Sequence, residues 1–105
     1  MNEPTVHELK TAPIYFDAIA RGDKLFEVRK NDRFFQCGDI VELIRLHEES
    51  NYYTPYTEKG GWKTGDKSKA QRLKFRIGPI LQGGQFGIEP GYCVFSLLPI
   101  TEQKP

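Results

Sequence analysis

The densest set of chemically capable side chains lies in Gly22-Asp23-Lys24-Leu25-Phe26-Glu27-Val28-Arg29-Lys30. Period-2 alternation over Leu25 to Arg29 reads as a strand. It puts Phe26 and Val28 on one face and Glu27 and Arg29 on the other. Lys24 precedes the regular strand, so alternation does not set its direction and it can join Glu27 and Arg29. A Lys–Glu–Arg cluster shielded from water can bind an anion or a polar base edge through its cations. It can also move a proton, with the carboxylate or a neutral lysine as base. The competing reading is a surface salt-bridge ladder worth under about 1 kcal/mol.

A second candidate emerges from the charge distribution. Fifteen Lys and Arg against fourteen Asp and Glu leave a net charge of +1. That total argues against strong non-specific nucleic-acid binding. Residues 59–76, however, hold seven basic residues, Lys59, Lys63, Lys67, Lys69, Arg72, Lys74 and Arg76, and one acid, Asp66. That band carries +6, whereas residues 1–58 carry −4 and residues 77–105 carry −1. Trp62 lies within the band, and Tyr52, Tyr53 and Tyr56 precede it. Cations interleaved with aromatic rings suit a single-stranded nucleic acid, with phosphates neutralised and bases stacked at about 1–3 kcal/mol each. The plainer alternative is that these lysines solvate a loop and blunt a sheet edge.

Other chemistry is thin. His7 and His47 are the only histidines, and their spacing to Cys37 and Cys93 matches no standard zinc pattern, so no metal and no cofactor are expected. His7 opens the first strand, where it bonds the backbone or sits near a cleft. The two cysteines read as small buried hydrophobes rather than a disulfide framework. Gly83-Gly84-Gln85-Phe86-Gly87 lacks the Lys-Ser/Thr of a phosphate loop. It is either a turn requiring positive φ angles or a wall of a ligand cleft, with Gln85 offering its amide to a base edge and Phe86 a stacking face. Asn31-Asp32-Arg33 reads as a turn whose arginine can also meet a phosphate.

The elements that position these residues are short. Val6 to Lys10 is a strand. Thr11 stands at a helix N-cap, Pro13 falls in the first turn, and Gly22 stops the helix after Arg21. Ile14, Ala18 and Ile19 share one helical face, flanked by Tyr15 and Phe16. Gly38-Asp39 is a turn, and Ile40 to His47 is a strand apolar on parts of both faces. Residues 48–70 form a long polar segment, of the kind that is mobile or functional. Arg72 to Ile77 is a strand with Leu73, Phe75 and Ile77 inward and Arg72, Lys74 and Arg76 outward. Tyr92 to Leu98 is the last strand, and residues 101–105 read as a tail. One strand, one helix and several further strands predict a mainly β domain, a small barrel with one helix near its N-terminal side. At 105 residues a single domain is expected. No apolar run approaches the ~20 residues of a membrane span, so a cytoplasmic, monomeric protein is the default.

The segment Gly22-x-Lys24-x-x-Glu27-x-Arg29 resembles the signature of the ASCH domain, a branch of the PUA-like superfamily. His7-Glu8-Leu9-Lys10, the helix from Pro13 to Arg21, Arg29-Lys30-Asn31-Asp32-Arg33, Gly38-Asp39, Gly83-Gly84-Gln85-Phe86-Gly87 and Gly91-Tyr92 are similar to the small ASCH-like proteins of bacteria and phages. The resemblance spans nearly the whole chain except the 48–70 loop and the tail. It implies a PUA-like β-barrel that binds RNA or nucleotides in a cleft beside the motif. One bacterial branch hydrolyses N4-acetylcytidine with a lysine, a threonine and a glutamate, and other members are described as cleaving single-stranded RNA. Lys24 matches that lysine, Glu27 stands where the branch has its threonine, and Arg29 has a counterpart.

The expectation is therefore an RNA- or nucleotide-binding module. Its site would gather Lys24, Glu27 and Arg29 with His7, Asn31, Gln85 and Tyr92. Lys59, Lys63, Lys67, Lys69, Arg72, Lys74 and Arg76 would hold the phosphate backbone, and Trp62 and Phe86 would stack bases. The alternative is a hydrolase of a modified nucleoside or of RNA, with Lys24 and Glu27 as its catalytic pair. A further alternative is a protein-interaction module of phage or host.

Overall fold

In chain order the elements are β1 (Val6–Thr11), α1 (Pro13–Ala20), β2 (Phe26–Lys30), β3 (Ile40–Arg45), β4 (Arg72–Gln82) and β5 (Tyr92–Leu98). The computed structural model of the protein describes residues 3–46 and 70–100. The five strands belong to one sheet, in the order β1-β3-β4-β5-β2. The fold is mainly β, in the small-barrel class, with one helix, as the strand and helix count predicts. Among the described residues no helix is long and apolar enough to cross a membrane.

The chain divides into two compact units. One comprises Met1–His7, Leu25–Val41 and Lys74–Pro105, and the other Glu8–Lys24 and Glu42–Leu73. In the first, Phe35, Val41, Ile77, Cys93, Phe95 and Leu97 are buried. In the second, Leu9, Phe16, Ile19, Leu43, Ile44 and Ala70 are buried.

β5 shows why the local pattern works. Its β-branched and aromatic residues favour a pleated surface, and alternation sends Cys93, Phe95 and Leu97 inward. Its bounds match the predicted ones. β2 pairs with it antiparallel, with Glu27 opposite Phe95 and Arg29 opposite Cys93. β4 pairs with β5 on the other side. The predicted strand ended at Ile77, but β4 continues to Gln82. Ile77 faces Leu97 and Ile80 faces Phe95, so Gly78-Pro79 supplies one extra residue, a β-bulge. A bulge accommodates a proline, which has no N–H for the ladder.

α1 differs from expectation at its start. The N-cap is Ala12, without a side-chain hydrogen bond, and Pro13 follows in the first turn. Thr11 instead closes β1, turned inward by alternation, and its Oγ1 donates to the Leu9 carbonyl at 3.1 Å. The helix end follows the prediction. Gly22 takes φ +85°, its N–H donates to the Ile19 carbonyl, and the Asp23 N–H donates to the Ala18 carbonyl. This Schellman pair satisfies carbonyls the helix leaves open. Eight residues make a helix too short to persist alone. Burial of Phe16 and Ile19, about 1.5–3 kcal/mol each, supplies the missing stability. Ile14, expected on the core face, is exposed, because the buried stripe runs through residues 16 and 19. Arg45 forks onto Asp17, with Nε to Oδ1 and Nη2 to Oδ2 both 3.0 Å, and so ties the end of β3 to the helix.

Candidate functional site

Glu27 and Arg29 do come together. Arg29 Nε donates to Glu27 Oε2 at 2.8 Å, and the Glu27 carboxylate is buried. β2 thus turns its charged face inward and its apolar face, Phe26 and Val28, to solvent. A charge-assisted bond of this length is among the stronger hydrogen bonds, and it makes burial of the carboxylate tolerable. Opposite Arg29, the Cys93 thiol is pushed up by burial and, secondarily, by the nearby Asp32 charge, which leaves it an unreactive thiol. Lys24 belongs to the other unit, where its Nζ sits 5.5 Å from the centre of the Tyr15 ring.

A second cluster forms where β2, β4 and β5 meet their loops. The Asn31 N–H donates to the Gly91 carbonyl at 2.8 Å, and Asn31 Nδ2 donates to Gln82 Oε1 at 2.7 Å. Gln85 Nε2 donates to the Gln82 carbonyl at 2.9 Å. Gln82 thus holds the Asn31 amide through its side chain and the Gln85 amide through its backbone, and all three residues are exposed. Lys30 lies beside Tyr92 in the ladder, and both are exposed. Phe86 is 81% exposed, next to Gln85. Gln82 is the member that sequence reading missed. Its partner Asn31 is 51 positions away, and no local pattern marks such a pair.

His7 and Asp39 form a third group. His7 Nε2 lies 2.9 Å from Asp39 Oδ2, and His7 is only 7% exposed. The Thr5 N–H donates to Asp39 Oδ1 and the Gln36 N–H to Oδ2. Burial pushes the Asp39 carboxyl up, but His7 and the two backbone donors more than offset it and hold the carboxyl below its usual range. Phe35 meets His7 edge-on at 4.8 Å and leans on Phe95 at 5.1 Å. This is a closed strut rather than an open ligand site. The inward face of Val-His-Glu-Leu-Lys-Thr was the available signal, since a buried histidine needs a polar partner.

The expected phosphate contacts divide. Arg72 Nη1 lies 3.5 Å from both Glu8 and Glu42 carboxylates, and Arg76 Nη1 donates to the Gly38 carbonyl at 3.2 Å. These two arginines, expected outward, are half-buried and bonded within the protein, while Lys74 is exposed. Lys59, Lys63, Lys67, Lys69 and Trp62 lie outside the described residues, as does His47. Cys37, expected to be buried, is exposed. It occupies a turn whose flanking Gln36 and Gly38 N–H groups are tied inward, to Asp39 Oδ2 and to the Ile77 carbonyl. Among the described residues no three His, Cys, Asp or Glu side chains gather as a metal site.

Comparison with curated proteins finds no match. A family model does match, over residues 6–97, from the start of β1 nearly to the end of β5. The match takes in all six elements, the Glu27–Arg29 pair and the amide cluster, so the chain belongs to DUF3850, a domain of unknown function.

Proposed function

We propose that the protein binds RNA or nucleotide bases at the loop end of β2, β4 and β5, in keeping with its resemblance to ASCH domains. The single observation that carries this reading is the exposed Phe86 ring beside the ordered Asn31–Gln82–Gln85 amides. A ring offers a stacking face, and fixed amides offer the mixed donors and acceptors that a base edge needs. Lys30 and Tyr92 extend the same patch with a cation and a second aromatic. Of the basic band of residues 59–76, Lys59, Lys63, Lys67, Lys69 and the exposed Lys74 are the proposed phosphate-neutralising cations, because Arg72 and Arg76 are bonded within the protein.

Fluorescence polarisation with a labelled single-stranded RNA of mixed sequence tests the reading. Affinity is expected to fall steeply as salt rises from about 50 to 200 mM. Lys63→Glu with Lys67→Glu is expected to weaken binding and flatten that slope. Gln82→Leu with Gln85→Leu is expected to weaken binding about tenfold without changing the slope. Absence of binding at any salt concentration overturns the proposal.

A further inference from the structure

Among the described residues, Phe34 and Phe86 are the non-glycine residues with positive φ, +52° and +54°. They are also the two most exposed large apolar side chains, at 87% and 81%. Each feature alone is unfavourable. A left-handed backbone crowds a bulky side chain, and an exposed ring forgoes burial. Both features coincide at both positions.

The surroundings fix the backbone at both positions. Phe35, the neighbour of Phe34, is buried against His7 and Phe95. On the following residue, the Gln36 N–H is tied to Asp39, and the Gln36 side-chain amide donates to the Phe34 carbonyl at 3.5 Å. With residues 35 and 36 anchored, the positive φ turns the Phe34 ring outward. At the other loop, the Ile88 N–H donates to the Gln85 carbonyl at 2.8 Å, and Phe86 and Gly87 both have positive φ. That is the signature of a type I′ turn, whose first central position favours Asn, Asp or Gly. A phenylalanine there contradicts the local preference of the turn. Such conflicts are expected where a site, rather than the fold, selects the residue.

Both loops leave the sheet at the same end. Lys30, before the first loop, pairs with Tyr92, after the second, and the Asn31 N–H bonds the Gly91 carbonyl. We infer that Phe34 and Phe86 are each a stacking platform for an unpaired base of single-stranded RNA. The inference rests on the RNA-binding reading and deepens it to single-strand specificity. Bases in a duplex are already stacked and have no free face for the rings, whereas every unpaired base has one.

The test compares the wild-type protein with Phe34→Asn and Phe86→Asn. Asparagine accepts a left-handed backbone, so the loops keep their form. Each protein is titrated with a labelled single-stranded RNA and with the duplex of the same sequence, and its thermal midpoint is recorded. The expected result has three parts. The wild type prefers the single strand. Each variant loses roughly 5- to 100-fold in single-strand affinity with the same salt dependence. Each thermal midpoint holds or rises by about 3–6 °C, as strain is relieved. A wild type that binds RNA, with variants that bind it equally well, overturns the stacking role, leaves the RNA reading standing and points the rings to a protein partner. Duplex bound as tightly as single strand overturns it too, as does a clear fall in both thermal midpoints, which would mean that the rings serve the fold. A wild type that binds neither RNA overturns the RNA reading and this inference together.

Discussion

His7 on β1 and Asp39 ahead of β3 meet through one short contact, Nε2 to Oδ2 at 2.9 Å, across 32 positions of sequence. Asp39 also accepts the Thr5 and Gln36 N–H groups. One buried carboxylate thus binds a strand start, a turn and an imidazole. The imidazole in turn meets Phe35 edge-on, the anchor beside the exposed Phe34.

This contact has a pH signature. His7 and the Thr5 and Gln36 N–H groups hold the folded Asp39 carboxyl below the usual carboxylate range. A depressed carboxyl contributes stability that is fully present above the unfolded value and is lost as pH falls through the folded one. Thermal midpoints followed by circular dichroism are therefore expected to show no Asp39-dependent change from pH 7 to about 5, then a fall below about pH 4. Asp39→Asn is expected to cost about 2 kcal/mol at pH 7 and to make the acid limb shallower. An unchanged acid limb would remove Asp39 as its source.

The Glu27–Arg29 pair joins a buried carboxylate to a half-buried guanidinium. Arg29→Met keeps the packing volume but takes the guanidinium from a buried carboxylate. The expected loss is about 3 kcal/mol in urea unfolding. Glu27→Leu with Arg29→Met removes both charges and is expected to recover much of that loss. With Glu27→Leu alone measured to close the cycle, simple additivity would show that the pair is not coupled.

Gly83 is predicted to tolerate no side chain. A Cβ there would collide with the backbone carbonyl oxygens of Glu89 and Tyr92. Gly83→Ala is expected to cost about 2 kcal/mol. It should also raise amide exchange across residues 84–91, the loop that carries Phe86. Wild-type exchange in that loop would count against the close approach.

Gly22 has open space around it but φ +85°. Gly22→Ala is expected to cost about 1 kcal/mol through backbone strain at the helix end alone. Gly22→Asn should cost less, since Asn enters the left-handed region more readily. Equal losses for Ala and Asn in thermal unfolding would contradict a strain origin.

Much of this protein is legible in its sequence. Alternation placed β2, β5 and the start of β4, Gly22 marked the helix stop, and the count of short strands against one helix indicated a mainly β fold. These are local properties, written in a period of two or 3.6 residues and in the backbone freedom of glycine. The proximity of Glu27 and Arg29 was equally legible, because two residues on one strand face are neighbours by construction.

Alternation defines two faces of a strand but not which of them is buried. Only the pairing of β2 with β5 decided that Glu27 and Arg29 lie with Phe95 and Cys93 on the inner face, while Phe26 and Val28 face water. The extension of β4 past Pro79 required a partner strand that absorbs a bulge. His7 with Asp39, and Asn31 with Gln82, are contacts between distant positions that depend on where whole strands end. Phe86 was already a stacking candidate in the sequence, but Phe34 became distinctive only through its backbone angle and exposure in the folded chain. The sequence by itself determined the elements and the chemistry available to them. The tertiary structure decided which side chains are spent on holding the fold and which are held out to solvent, because burial depends on strand pairing that no local period encodes.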